Sequence, residues 1–586
     1  MIRDLIADII TKSVAALRER GELPDVEPPA IEVTRPQYIE HGDYATNVAM
    51  KYAAAARAAG QKANPRALAE AIANHIREMV DVVPAYDLVA AVEVAGPGFI
   101  NLRLRAEWLL RQAREVIVAG NSFGAVNIGR GQKVNLEFVS ANPTGPATVG
   151  NGRGAFIGDT LGNVMRAAGY DVTKEYYFND AGAQVAKLGG SMTYYLHLAL
   201  GHGDDVKPQE GYFGAYYETV ADRMLQSWEI KVADLLALPD DERNAAIGKT
   251  AAALIMDDIR ATMAKLRVKF DVFFNEGSLT ASGEREAAIE ELRRLGYIEE
   301  HDDAVWAKTT AFGDDKDRVV LRSTGEPTYF ASDVAYMRNK FERGFQKLIL
   351  VLGPDHHGYI GRLKATAGIL GHDLDDAHIL MYQVVTVKGL RMGKRLGNVI
   401  TLDELYDEVG ADVTRFFYLM RSSDTQLDFD LELASKQSDE NPGLSVQYAH
   451  ARASGVFRKA SEQGIRAEDY EPVDAAVLAN DPAESLKHEL ALVRELLRLE
   501  EVVERAALAL EPHHLTRYAM DLADAYHHFY ESCPILKAGT DIAPEVKLAR
   551  LQLMRAAQAG LARTLTLIGM TAPDRMERAE AISAEE

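Results

Sequence analysis

The chain has 586 residues, 47% hydrophobic and 26% charged, a composition that fits a folded protein of several domains and excludes a disordered or fibrous one. Acidic residues outnumber basic ones 87 to 65, a formal net charge of −22, so there is no overall basic field for non-specific nucleic-acid coating, although a local basic surface can still hold one specific RNA. A lone cysteine, Cys533, excludes an internal disulfide framework and a thiolate-rich zinc site, and no apolar run reaches the roughly 18 residues that cross a bilayer.

The first 20 residues, MIRDLIADIITKSVAALRER, put Ile2, Leu5, Ile6, Ile9, Ile10, Val14 and Leu17 on one helical face. Asp4 and Asp8 interrupt any apolar targeting core, so an amphipathic first helix in a cytoplasmic protein is expected. A second helix is predicted over much of Pro65–Val80, and AAVEVAGPGFINLRL predicts a strand pair broken at Gly96-Pro97-Gly98; together these read as an α+β module. From Lys133 the pattern becomes strand (KVNLEFV), helix (Gly152 to Ala168, closed by Gly169) and strand (DVTKEYYFN). That βαβ unit predicts a parallel sheet with a right-handed crossover. Helical periodicity follows from about Tyr216 to Leu266, and LILVLG (Leu348–Gly353) predicts a further buried strand. From about Asn441 to Gly569 the pattern is almost entirely helical, with Tyr518, Leu522, Ala525 and Phe529 on one face. The last ten residues read as a frayed tail.

Three stretches ask for a chemical explanation. EFVSANPTGPATVGNGRGAFIGD (Glu137–Asp159) carries Gly145, Gly150, Gly152, Gly154 and Gly158 around one helix start, although a helix-interior glycine costs about 1 kcal/mol relative to alanine. Either a phosphate or planar ligand approaches the backbone there, or the glycines serve helix–sheet packing alone; the spacing fits neither the dinucleotide nor the P-loop fingerprint. RMGKR (Arg391–Arg395) is either a mobile cation for phosphates or a solvated basic loop. DHHGY (Asp355–Tyr359) holds zinc-type ligands, but adjacent histidines rarely face one ion and the only cysteine is distant, so a structural or substrate contact is expected. His513, His514, His527 and His528 are expected on C-terminal helices as packing and solvent residues.

With AAGYDVTKEYYFNDAGAQV, the glycine-rich stretch resembles the nucleotide-binding signature of the arginyl-tRNA synthetase family of class I aminoacyl-tRNA synthetases. EHGDYATNVAM and GPGFINL resemble that family's N-terminal additional domain, and PTYFASDVAY and GPDHHGYIGRLKA its catalytic core. RMGKRLGNVITLDELYDEVGADVTRFFYLMR is similar to its KMSKS-type loop and following helices, and NPGLSVQYAHAR with FYESCPIL to its C-terminal anticodon-binding domain. The ordered set runs from about residue 40 to Met576. It implies an α/β multidomain fold: an N-terminal additional domain over 1–115, a Rossmann-like parallel-sheet catalytic domain with an insertion over 116–400, a connecting helical segment over 401–440, an all-α anticodon-binding bundle over 441–576, and a tail over 577–586.

The resemblance also implies residue roles. The family's HIGH-type tetrapeptide falls on Thr148-Val149-Gly150-Asn151, with Thr148 and Asn151 in place of two histidines; each keeps a donor, and the pattern resembles that of some tryptophanyl enzymes. Lys394 matches the second lysine of KMSKS, so catalysis is expected at Thr148, Asn151 and Lys394, and ATP contact at Gly150, Gly152, Gly154, His356, Gly358, Arg391, Met392 and Lys394. A guanidinium is always charged and presents a planar fork of donors, so it asks for a carboxylate. The family's pocket places that need on Tyr329 and Asp333, with Glu137, Asn142 and Gln383 as further arginine-binding positions. By spacing alone Tyr329 and Asp333 are equally an ordinary surface pair. Tyr448, Arg452 and Arg458, on a stretch shared with His450 and Lys459, are expected to hold tRNA by stacking and phosphate contact. The implied activity joins L-arginine to ATP as arginyl-adenylate and passes the arginyl group to the terminal adenosine of its tRNA, with Mg2+ accompanying ATP, no protein-bound metal, no membrane and a monomeric chain. The alternatives are a catalytically impaired tRNA- or arginine-binding paralogue, or another class I synthetase.

Overall fold

The computed structural model describes residues 1–202, 207–226, 232–388, 400–536 and 542–576. The first helix, Ile2–Glu19, buries Ile6, Ile9, Ile10, Val14 and Leu17 as its periodicity requires. Leu5 is 45% exposed instead, because it lies past the edge of the stripe that Ile6 and Leu17 centre. The helix Pro65–Val82 starts with proline at its first position, while the Asn64 side chain accepts from the Arg66 and Ala67 N–H groups. It packs near a three-stranded antiparallel sheet ordered Tyr44–Thr46, Phe99–Leu104, Val89–Ala95. The turn of that strand pair needs glycine: Gly98 has φ +139°, and a Cβ there would stand 2.9 Å from the Pro65 carbonyl oxygen.

The centre of the molecule is a five-stranded, wholly parallel sheet, ordered Ala377–Met381, Lys347–Leu352, Lys133–Phe138, Asp171–Phe178, Val272–Asn275. In the strand Lys133–Phe138, Val134, Leu136 and Phe138 on one face and Asn135 and Glu137 on the other are all buried, as a strand covered on both faces requires. The chain builds outward from that strand in one direction, then returns with Lys347–Leu352 on its other side. The strand order therefore reverses between Lys133–Phe138 and Lys347–Leu352, and in such sheets ligands bind outside the carboxyl ends at that reversal. The glycine-rich helix, Val149–Ala167, begins three residues before Gly152. Helices Ala183–Ala199, Ala215–Gln226 and Asp240–Lys265 form an insertion before the fifth strand, and a small antiparallel sheet (Ile298–His301, Ala304–Ala307, Arg318–Leu321) precedes the helix Tyr329–Glu342.

Residues 401–440, expected to be helical, contain the helix Leu402–Leu419, kinked at Gly410 (φ 75°), and also the strand Leu427–Asp430. That strand pairs in parallel with Val385–Lys388, tying the segment into the sheet-bearing part of the chain. Four residues of alternating LDFD were too short a signal to separate from helix by period alone. Beyond Asn441 the chain is a helical bundle, its long members including Pro442–Glu462, Ala483–Leu496, His513–Ser532 and Pro544–Ile568. Tyr518, Leu522 and Phe529 are buried in it, and Ala525 is half-buried.

Candidate active site

At the strand-order reversal lies a cavity of about 1070 Å³, lined on the sheet side by Glu137, Ser140 and Asn142 and on the opposite side by Tyr329, Asp333 and Arg362. The first strand ends in a forced turn: Val139 has φ 67° and Ser140 φ 41°, left-handed values that cost non-glycine residues about 1–3 kcal/mol each. The surroundings over-determine it. Ser140 Oγ donates to Glu137 Oε1 (2.9 Å) and accepts from the Tyr177 N–H (3.1 Å). The Tyr176 hydroxyl donates to Ala141 O and the Tyr217 hydroxyl to Thr144 O, both at 2.8 Å. Asn142 Nδ2 donates to Gln184 Oε1 (2.8 Å), and both residues line the cavity.

Thr148 is the N-cap of the glycine-rich helix, and Asn151 closes on it. Asn151 Oδ1 accepts from the Thr148 N–H (2.9 Å) and from the Thr148 hydroxyl (3.0 Å), which leaves Nδ2 as the Asn151 donor without a partner among the described residues. The two side chains thus form a reciprocal cap that fixes the helix start. Both line the cavity, as does Gly150. Gly152 and Gly154, expected under ATP, do not: a Cβ on Gly152 would meet Leu402 (2.6 Å) and one on Gly154 would meet Tyr382 (2.9 Å). A Cβ on Gly158 would collide with Phe138 at 2.1 Å. Close packing against tertiary neighbours is what these three positions require.

The opposite wall is carried by the helix Tyr329–Glu342, capped by Thr328 Oγ1. Tyr329, 66% exposed, and Asp333 sit one turn apart and both face the cavity. Further along the same helix, Lys340 Nζ donates to Glu137 Oε2 at 2.5 Å and the Tyr336 hydroxyl to Glu175 Oε1 at 2.6 Å, while Arg343 pairs with Glu175. These bonds register the helix on the two central strands. Glu137 is therefore already charge-paired, whereas Glu276, at the start of the helix Glu276–Ala281, lines the cavity with no cation paired to it among the described residues. Burial pushes the Asp333 carboxyl up to about 7; Arg362 opposes this, and Glu276 and Glu137 add to it. Burial, with Glu276 and Asp333 adding, likewise pushes the Tyr177 hydroxyl above its ordinary range. The cavity thus holds a cluster of carboxylates around Asp333, a setting for a cation.

His356 and Gln383 line the cavity; Gly358 does not, and a Cβ there would meet nothing within 4 Å. Arg391, Met392 and Lys394 lie outside the described residues. The segment that follows them is tied to the glycine-rich helix start: the Val149 N–H donates to Ile400 O (3.1 Å) and the Leu402 N–H to Ala147 O (2.9 Å). Gln383 is held from the same helix, its carbonyl accepting from Arg153 Nη1 at 2.9 Å. In the C-terminal bundle a groove of about 1170 Å³ is lined by Tyr448, Arg452, Arg458, Lys459 and Tyr530. Tyr448 is 6% exposed and forms its wall; the ring open to solvent is Tyr530, with the Arg452 guanidinium 5.4 Å from its centre. Arg458 Nη1 donates to Asp574 O (3.0 Å). His450 is buried with Nδ1 2.9 Å from Pro573 O, a packing contact.

Glu276, Arg362, Tyr177, Lys340 and Gln184 were not singled out from the sequence. Tyr177 and Gln184 lie in AAGYDVTKEYYFNDAGAQV and Arg362 in GPDHHGYIGRLKA, but no local spacing marks any of the five. The Thr148/Asn151 cap was accessible, because threonine followed three residues later by a polar side chain at a helix start is a capping-box pattern.

A parallel sheet with a nucleotide-sized cavity at its strand reversal, joined to a helical bundle with a cation-lined groove, defines the class: residues 112–417 match the family model for the class I (R) tRNA synthetase catalytic domain. Residues 1–104 match the arginyl tRNA synthetase N-terminal domain and residues 446–576 the DALR anticodon-binding domain. The chain belongs to the arginyl-tRNA synthetase family. It is 40% identical over 584 residues to an arginine–tRNA ligase of Dehalococcoides mccartyi, covering 98% of this chain and 99% of that protein. It is 42% identical over 575 residues to that of Moorella thermoacetica, covering 97% and 98%. The fold matches Thermus thermophilus arginyl-tRNA synthetase with a TM-score of 0.72 at 23% identity, over 98% of this chain and 100% of that one. The Plasmodium falciparum enzyme gives 0.72 at 15% identity, over 98% and 99%.

Proposed function

We infer that the chain attaches L-arginine to its cognate tRNA, forming arginyl-adenylate from arginine and ATP and then transferring the arginyl group to the terminal adenosine. The observation that carries the amino-acid choice is the Tyr329/Asp333 pair, which lines the cavity together with Glu276. A carboxylate in a partly desolvated pocket takes up a guanidinium by charge-assisted hydrogen bonding and leaves a neutral side chain with an unpaired partner, which rejects it strongly. Glu137, charge-paired with Lys340, and Asn142 are left for the polar end of the substrate.

Adenylation needs no enzyme nucleophile. The arginine carboxylate oxygen attacks the α-phosphorus and pyrophosphate leaves; a ribose hydroxyl of the tRNA end then attacks the activated carbonyl and AMP leaves. The protein's contribution is positioning and donors aimed at the developing charge. Asn151 Nδ2, freed by the cap geometry, is such a donor at the helix N-terminus, where the dipole also favours phosphate. Thr148 acts chiefly by holding Asn151, and Lys394 supplies the cation for the transferring phosphates. Magnesium enters as part of the substrate, on the ATP phosphates. Among the described residues the His/carboxylate group close enough to share an ion is Glu511, His513 and His514, in the bundle and outside the cavity lining. The groove with Tyr448, Arg452, Arg458 and Tyr530 is the tRNA-contacting surface. The protein acts as a monomer in the cytoplasm.

Charging of total tRNA by the purified protein with each amino acid in turn tests this reading. Arginine alone should be esterified, with ATP consumed to AMP; charging with another amino acid, or none with any, would refute it.

A further inference from the structure

The Asp333 carboxylate has a neighbour that the reaction does not call for. Arg362, on the helix Ile360–Ile369, brings Nη2 to 3.6 Å from Asp333 Oδ2. Its guanidinium lies 3.6 Å from the centre of the Tyr359 ring and 5.9 Å from that of Phe330, and its Nε is buried without a partner. A cation of the same chemistry as the substrate side chain thus stands permanently at the carboxylate that is to receive the substrate. Left to diffuse, it would compete; stacked on Tyr359, it is confined to one side. Neither Asp333 oxygen accepts a hydrogen bond among the described residues; Arg362 stands by Oδ2 as an ion pair, and no ion pair is made to Oδ1.

Resting on the reading of Asp333 as the receptor for the arginine side chain, we propose that Arg362 is a positioning residue for substrate: from its place beside Asp333 in the cavity wall it braces the Oδ2 edge, leaving the Oδ1 edge as the single docking edge for the incoming guanidinium. Opposite charge beside the carboxylate also favours its ionised form in the empty pocket. The charged groups around Asp333 make this necessary. Glu276 faces it from the helix Glu276–Ala281, Glu137 from the first strand with its charge taken by Lys340, and Tyr177 from the second strand; Arg285 contacts the adjacent Ser332. Among these, Arg362 is the cation beside the Asp333 carboxylate, and without it the carboxylates would hold a proton that the substrate must displace.

The arginine KM in pyrophosphate exchange, measured on full-length protein between about pH 6 and pH 9, decides this. Wild type should show a KM that is flat at alkaline pH and rises below about 7, by about tenfold per pH unit. Arg362→Met and Arg362→Gln should move that break upward by about one unit, so that at about pH 7 their arginine KM is about fivefold above wild type, nearing tenfold at about pH 6, and the curves approach one another at the alkaline end. Arg362→Lys keeps the charge and should keep the break, with a higher KM at every pH from the lost stacking. The two neutral variants guard against one failing to fold. A KM raised by the same factor at every pH in both neutral variants, or a break that moves as far in Arg362→Lys, would overturn the proposal and leave Arg362 a shaping residue. Asp333→Asn separates the premise: its profile should be flat with KM high throughout, and a wild-type profile there would overturn the reading of Asp333 itself.

Discussion

Two clusters of buried charge sit on opposite faces of this catalytic sheet and are balanced in opposite ways. Beneath the glycine-rich helix, Asp159 is fully compensated. Lys174 Nζ donates to its Oδ1 (2.7 Å) and Arg415 Nη1 to its Oδ2 (2.6 Å), and Arg415 also donates to Ile568 O, Leu266 O and Arg267 O. Burial alone would raise the Asp159 carboxyl, but the two cations outweigh it and hold it below the usual carboxylate range. In the cavity, Asp333 and Glu276 have one flanking cation among the described residues, Arg362, and Asp333 is pushed the other way. One cluster is satisfied from within and joins the helix to the end of Pro544–Ile568 in the bundle, where Thr160 and Asn163 also donate to Ile568 O and Leu567 O. The other is left short of positive charge among the described residues, a shortage that, on the proposed reading, the cationic side chain of the substrate makes good.

The comparison breaks most visibly at Asp159. Asp159→Asn strands Lys174 and Arg415 without a carboxylate, and leaving buried charge unpaired costs about 3–5 kcal/mol. The urea midpoint should fall accordingly, and amide exchange should accelerate around residues 565–570, where the bundle helix ends on this network. The loss should be full at neutral pH and shrink on acidification below about 4, because a depressed carboxylate stabilises only where the unfolded chain would also be ionised. A variant as stable as wild type would mean that the network is decorative.

Next in size is Asp333→Asn in catalysis. Losing one member of a desolvated charge pair costs about 2–5 kcal/mol, so the arginine KM should rise by more than about thirtyfold. The ATP KM should change little, because ATP is expected at the glycine-rich helix start and Lys394. Citrulline, with a neutral urea in place of the guanidinium, should lose its disadvantage in this variant. Equal weakening of arginine and ATP would show Asp333 to be a scaffold residue.

What the sequence discloses and what it hides follows the same division. Buried parallel strands are continuous apolar runs, so KVNLEFV and LILVLG are legible, and an i, i+4 pair such as Tyr329 and Asp333 is legible once a helix is assumed. The reason for Gly152, Gly154 and Gly158 is not local: it lies in Leu402, Tyr382 and Phe138, two of them more than two hundred residues away in sequence. Glu276, Arg362 and Lys340 are equally silent, since an isolated charged residue looks like a solvated one until the fold sets it in the cavity wall, as with Glu276, or brings a carboxylate within 4 Å, as with Arg362 and Lys340.

A smaller effect is expected at the helix start. Asn151→Ala removes the free Nδ2 and the acceptor that holds Thr148, whereas Thr148→Ala removes one bond of that cap. The adenylation kcat should therefore fall by about tenfold or more in Thr148→Ala and by more again in Asn151→Ala. The reverse order would make the threonine hydroxyl, and not the asparagine amide, the donor to the phosphates.

The smallest effect is the sharpest, because it asks the same chemical change to act with opposite sign in the two clusters. With its carboxyl raised to about 7, the folded state holds a proton on Asp333 that the unfolded chain gives up near 4, so ionising this group costs the free protein stability. The cost begins above about 4, grows up to about 7 and is constant beyond. Asp333→Asn removes it. The free variant should melt slightly above wild type at about pH 8 and level with it near pH 4, while Asp159→Asn melts well below wild type at the alkaline end. Saturating arginine should then raise the melting temperature of wild type and leave Asp333→Asn nearly unmoved, since a ligand stabilises only the state that binds it. If Asp333→Asn melts below wild type without ligand at pH 8, the cavity carboxylate is a structural member like Asp159, and the contrast between the two clusters does not hold.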